Sequence, residues 1–180
     1  MSQTGYNRAQ PAWGRAGFTI IEILIVVVIL GIVAALVLPQ FSNASNLARE
    51  NTLKDDLRFL RTQLLVFKAQ HRDVPPGYPA GNTNAQPTEA AFLEQMTRPT
   101  NERCQVGPSS GPAYPHGPYF QKMPPNPLNG KSQTLVITNG QPMPTTYRGP
   151  AYGWVYKPET QEIIANSDQV DRHGVSYMLY

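Results

Sequence analysis

Apolar side chains are spaced in three different ways along this chain, and each spacing predicts a different element. From Phe18 to Leu38 only Thr19 and Glu22 carry polar side chains. At about 1.5 Å per helical residue, that run spans the ~30 Å hydrocarbon core of a membrane. Beyond Pro39 the apolar positions thin to Leu53, Leu57, Leu60, Leu64 and Phe67, in steps of four and three. Arg49, Lys54, Asp55, Arg58, Arg61 and Lys68 fall on the other faces. This is an amphipathic helix whose stripe reads as core, and Pro75-Pro76-Gly77 predicts its end near Arg72.

The third spacing is short and broken. From Asp73 to Pro118 the chain is rich in Pro, Gly, Asn and Thr and reads as loop. A short helix interrupts it at 88–97, with Thr88 as N-cap, Phe92 and Met96 on one face and Arg98-Pro99 as the stop. A loop of this length is expected to be functional or mobile. Short aromatic or β-branched runs follow at Tyr119–Met123, Thr134–Thr138, Tyr152–Tyr156, Glu162–Ala165 and Ser176–Leu179, bounded by turn residues. The residues Lys157 to Gln161 predict a hairpin turn between two of them. The expected fold is α+β: a long N-terminal helix packed against a small C-terminal antiparallel sheet, because a one-faced sheet needs an apolar cover. The organisation is then a leader at 1–17, a membrane half of the helix at 18–38, an amphipathic half at 39–74, a loop region at 75–118 and a sheet region at 119–180.

Charge singles out Glu22. An ionised side chain in a membrane helix costs a few kcal/mol, so it calls for a function and a partner. The next charged residue along the helix is Arg49, out of side-chain reach. Before the run, Arg8 and Arg15 stand without any acid, which favours a cytoplasmic N-terminus and delivery of the rest across the membrane. The apolar core is too long for a conventional signal peptide.

A basic leader, Gly17, Phe18-Thr19, Glu22 and a long apolar helix together resemble the type IV prepilin family, and most closely its type II secretion pseudopilins. The resemblance implies that a prepilin peptidase cuts after Gly17 and that the new amine of Phe18 is N-methylated. It also implies that Glu22 meets the Phe18 ammonium of a neighbouring subunit during assembly. Pro39 stands where that family has a kinking proline, and Gly31 lies in the stretch that loses helicity in filaments. The implied function is that of a structural, non-enzymatic subunit of a periplasmic pseudopilus anchored by a single pass in the inner membrane. Its implied partners are like subunits, a membrane platform protein and a cytoplasmic assembly ATPase. The alternatives are a type IV pilus subunit and a membrane-anchored exported binding protein.

Composition trims the other possibilities. Loss of Arg8 and Arg15 with the leader takes 15 basic and 12 acidic residues to 13 and 12, or +1, so basicity gives no case for a nucleic-acid partner. The single cysteine, Cys104, excludes an intrachain disulfide. Gly107-Pro108-Ser109-Ser110-Gly111 has the spacing of a nucleophile elbow, but among prolines and without a strand before it. Gly130-Lys131-Ser132 resembles the end of a phosphate loop, with Pro125 in place of its first glycine. His71, His116 and His173 lack ligand spacing and read as solvated or capping residues. Tyr114, Tyr119, Tyr147 and Tyr152 read as core or cross-strand aromatics before a sugar-binding face.

Two further features bear on the subclass. Lys122 to Gly130 is similar to the proline-rich turn of major pseudopilins, with Asn126 and Leu128 where that pattern has Asp and Trp. Major pseudopilins also hold calcium in a C-terminal loop. Here Asp168 and Asp171 beside flexible carbonyls could hold calcium, but the stretch lacks the denser acidic pattern of that family; they read first as turn acids, so no cofactor is expected and calcium is the alternative.

Overall fold

The computed structural model describes residues 17–180, with side chains of residues 38–43 left aside. Helix α1 spans Ile20–Gln70 without interruption, through Gly31 and Pro39. The chain divides after Ala44 into two units, and α1 contributes to both.

In the first unit, every described side chain from Gly17 to Val37 is exposed. The stretch Ile20–Val37 is long and apolar enough to cross a membrane.

In the second unit, Ser45–Tyr180, the amphipathic stripe does what its spacing predicts. Leu53, Leu57, Leu60, Leu64 and Phe67 are all at most 1% exposed. Burial of each such side chain is worth about 1.5–3 kcal/mol, which makes the stripe the spine of the core. Phe92, Met96, Phe120, Met123, Trp154 and Tyr156 pack into the same cluster.

The helix stops before the prolines. Arg72 and Asp73 adopt the left-handed conformation, at φ 54° and 67°, and the Asp73 N–H donates back to the Lys68 carbonyl at 3.1 Å. That six-to-one bond is a Schellman-type stop, here on a non-glycine residue. Of the two roles expected of His71, solvated or capping, it takes the second: within this turn it is fully buried. Its ring stacks on Phe67 with centroids 3.8 Å apart. Nδ1 bonds the Phe67 carbonyl at 2.6 Å and Nε2 bonds the Thr100 hydroxyl at 2.8 Å. One ring thereby caps α1 and ties it to the loop region, and burial holds its pKa below the ordinary histidine value.

Helix α2, Glu89–Thr97, forms as its sequence predicts. The Thr88 side chain accepts from the Ala91 N–H at 3.1 Å, and Phe92 and Met96 are buried. The loop around it is held from inside by Gln95. Its Oε1 accepts from Gly77 N at 2.7 Å, and its Nε2 donates to the Tyr78 and Cys104 carbonyls at 2.7 and 3.2 Å. The Gly77 amide and the Cys104 carbonyl would otherwise be buried without these bonds, at a cost of about 1–3 kcal/mol each, while the Tyr78 carbonyl also accepts from Gly81 N at 3.0 Å.

Three strands follow, β1 Thr134–Val136, β2 Trp154–Lys157 and β3 Glu162–Ala165, in the order β1-β2-β3. β2 and β3 form the predicted antiparallel hairpin, with Trp154 opposite Ala165 and Lys157 opposite Glu162. β1 corrects the expected antiparallel meander: it runs parallel to β2, Thr134 opposite Trp154, so the sheet is mixed while the class remains α+β. Alternation places Trp154, Tyr156, Ile163 and Ala165 on one face, and all four belong to the cluster built on the α1 stripe.

Two of the proposed strands are something else. Residues 119–123 do not pair as a strand, because the Tyr119 and Phe120 amides both donate to the Met96 carbonyl at the end of α2. At the other end, Tyr177–Leu179 is a single 3₁₀ turn capped by Ser176.

The proline-rich turn owes its place to Asn126. Its Nδ2 donates to the Gly153 carbonyl at 2.7 Å, which an ionised aspartate cannot do, while its Oδ1 accepts from Leu128 N at 2.9 Å. Gly153 must be glycine, since a Cβ there would lie 1.9 Å from the Lys131 carbonyl oxygen. Trp154 Nε1 adds a bond to the Pro124 carbonyl at 2.8 Å. Leu128 packs partly buried against the core.

Candidate assembly site at the start of the long helix

Gly17, Phe18 and Thr19 precede α1 in non-helical conformation, and the helix begins at Ile20. Thr19 is the N-cap, and Glu22 stands three residues on. The Glu22 N–H donates to Thr19 Oγ1 at 3.2 Å, and the Thr19 N–H reaches Glu22 Oε2 at 3.5 Å. This reciprocal pair is a capping box, written in the sequence as Thr-x-x-Glu. The sequence reading weighed only a cationic partner for Glu22 and passed over this signal.

Magnitudes decide what the box can do. A carboxylate in the first turn gains about 0.3–1 kcal/mol from the helix dipole, against a cost of a few kcal/mol in hydrocarbon. The box orients Glu22 and offsets part of its cost.

The neighbouring positions are open. Phe18 is 77% exposed and Ile20 91%. Among the described residues, nothing lies within 4 Å of a Cβ built on Gly17 or on Gly31. Pro39 lies within the bounds of α1, where it removes one backbone donor. Arg8 and Arg15 of the leader lie outside the described residues.

Comparison with known proteins bears on this same segment. Residues 14–38 match the family model described as the prokaryotic N-terminal methylation motif. The type II secretion system core protein G of Pseudomonas aeruginosa is 41% identical over 61 residues, which are 34% of this chain and 43% of that protein. The protein of the same name from Klebsiella michiganensis is 27% identical over 71% of this chain and 76% of its own length. That from Vibrio cholerae is 30% identical over 67% of this chain and 70% of its own. The chain belongs to the type II secretion system core protein G family. No solved structure matches it.

In this pseudopilin the enzyme-like patterns lack the contexts their chemistry needs. Gly107 to Gly111 has no strand before it and no helix after it, and Gly130-Lys131-Ser132 leads into β1 instead of a helix. Cys104 is buried, and desolvation raises its thiol to about 11, which suppresses the thiolate. Tyr114, Tyr119, Tyr147 and Tyr152 are all half-buried. The Tyr114 ring covers Gly107, and Tyr119 donates its hydroxyl to Gln70 Oε1 at 2.6 Å while its ring packs edge-on to Phe67.

The acids of the C-terminal loop are placed differently from each other. Asp168 is exposed. Asp171 is committed inside the chain: Oδ1 accepts from the His173 and Val175 amides, both at 2.8 Å, and Oδ2 accepts from the Tyr180 hydroxyl at 2.6 Å. Calcium takes six to eight oxygen ligands. Among the described residues, no three His, Cys, Asp or Glu side chains come together to hold a metal ion. This donor set does not fit calcium.

Proposed function

We propose that this pseudopilin is a structural, non-enzymatic subunit of a type II secretion pseudopilus. A prepilin peptidase cuts it after Gly17, Phe18 becomes its N-methylated first residue, and Ile20–Val37 anchors it once in the inner membrane. The N-terminus is cytoplasmic and the Ser45–Tyr180 unit periplasmic. Assembly transfers the apolar half of α1 from lipid to the equivalent helices of other subunits, where packing and polar contacts replace lipid. Glu22 registers each subunit by accepting from the Phe18 ammonium of a neighbour, and Gly31 and Pro39 let the helix adjust. A membrane platform protein and a cytoplasmic ATPase drive the assembly that moves protein out of the cell.

The observation that carries this reading is the exposed apolar surface from Ile20 to Val37 with a single carboxylate at its head. The names of the curated relatives favour secretion over a type IV pilus.

Mass spectrometry of the mature chain tests the processing step. The expected N-terminus is Phe18 carrying one added methyl group. Gly17→Glu should retain the leader, and since none of the described residues crowds that position, the block reports the peptidase instead of a folding defect. An intact Met1, a cut after Ala35, or continued processing of Gly17→Glu would refute the assignment.

A further inference from the structure

The loop that carries Asp171 is fastened to α1 through Tyr180. The Tyr180 hydroxyl lies 2.6 Å from Asp171 Oδ2 and 3.2 Å from Glu50 Oε1. A phenol has one proton, so it donates along the shorter contact to Asp171. The second carboxylate, 94% buried, is balanced by Lys54, whose Nζ lies 2.6 Å from the same Glu50 oxygen and 4.9 Å from the centre of the Tyr180 ring. Arg61 holds the backbone, donating to the carbonyl oxygens of Tyr180 and Ile163. Tyr177 packs edge-on to Tyr180 with ring centroids 5.1 Å apart.

The loop is ordered around the same carboxylate. Besides the His173 and Val175 amides on Asp171 Oδ1, the Asp171 amide donates to the Val175 carbonyl at 2.8 Å, and Gly174 N donates back to the Asp171 carbonyl at 3.0 Å. Gly174 takes φ 79°, which glycine adopts without strain. Three donors thus converge on one aspartate, as a cation with vacant sites would do. Both carboxyls sit below their ordinary pKa values: Glu50 chiefly through its bond from Lys54, and Asp171 chiefly through its bond from Tyr180. Both are therefore ionised at neutral pH, the state the donors require.

We propose that Tyr180, donating its hydroxyl to Asp171 while Lys54 lies over its ring and Arg61 holds its backbone, latches the C-terminal loop to α1 and makes that loop independent of calcium. Protein donors occupy the carboxylate that a metal would need, and Tyr180 supplies the link between loop and helix.

Hydrogen exchange on the full chain in detergent, with calcium chloride or with a calcium chelator, tests the latch. Wild-type exchange across Asp171–Tyr177 should be the same in both buffers. Tyr180→Phe keeps the ring against Tyr177 and Lys54 and removes only the hydroxyl. It should speed exchange in that segment roughly five- to tenfold, the yield of one lost hydrogen bond, with no recovery on adding calcium. Asp171→Asn, which keeps an oxygen for the two amides but disrupts the acceptor facing the phenol, should loosen the same segment. Slower wild-type exchange with calcium would overturn the proposal, as would wild-type rates in Tyr180→Phe.

Discussion

The two halves of α1 are made of similar residues and live in opposite surroundings. From Leu53 to Phe67 the stripe Leu53, Leu57, Leu60, Leu64 and Phe67 is covered by the chain's own sheet and loops, while Phe59, Leu65 and Val66 stay exposed on the other faces. From Ile20 to Val37 they go all the way round, and all are exposed, with no cover among the described residues. A stripe needs one partner surface, and a single small sheet supplies it. A helix apolar on every side needs partners on every side, which only lipid or other copies can provide. The same backbone thus has a fold-forming half and an environment-seeking half, and Glu22 stands at the head of the second.

The comparison breaks if truncating either half has the same effect. Leu60→Ala should destabilise the Ser45–Tyr180 unit by about 2–5 kcal/mol, the cost of losing apolar burial and opening a cavity. Leu24→Ala should leave denaturant unfolding of that unit unchanged. Equal losses for both would mean that the apolar half of α1 also serves the chain's own fold.

A smaller effect sharpens the boundary at the other end of the helix. His71 is buried neutral, with a lowered pKa. Its contribution is fully present above the unfolded-state value of about 6.5 and is lost as the pH falls through the lower folded value. Stability of the unit should therefore decline below about pH 6.5, by at most ~1.4 kcal/mol per pH unit from this one group, and His71→Gln should flatten that part of the profile. An unchanged slope in His71→Gln would remove the histidine from the account.

What was legible in the sequence was what local chemistry decides. The stripe, the Thr88 cap of α2 and the β2–β3 hairpin each rest on residues close along the chain. The parallel pairing of β1 was not legible, because seventeen intervening residues, 137–153, give no local sign of strand direction. Tyr119–Met123 has strand-like residues, yet its first amides are taken by the end of α2, a competition settled only in three dimensions. Sequence left His71 as either solvated or capping because its partners, Thr100 and His116, come from a distant loop. Asn126 showed as a departure from a pattern, and its reason became visible only with the Gly153 carbonyl opposite it. The capping box is local and readable as Thr-x-x-Glu, but its Glu22 also fits a charge that needs an outside partner, and the two roles share the same residue.

That box gives the sharpest test, since it offers Glu22 a role within its own chain. Glu22→Gln retains the box, because glutamine serves the same position, and removes only the charge. The measurement is incorporation of this variant into pseudopili, with leader removal scored on the same sample. If Glu22 pairs with a neighbour's Phe18 ammonium, the variant is processed after Gly17 but enters filaments at least roughly tenfold less than wild type, the equivalent of about 1.4 kcal/mol of lost pairing. Incorporation at the wild-type level would contradict the pairing and leave Glu22 as a helix cap.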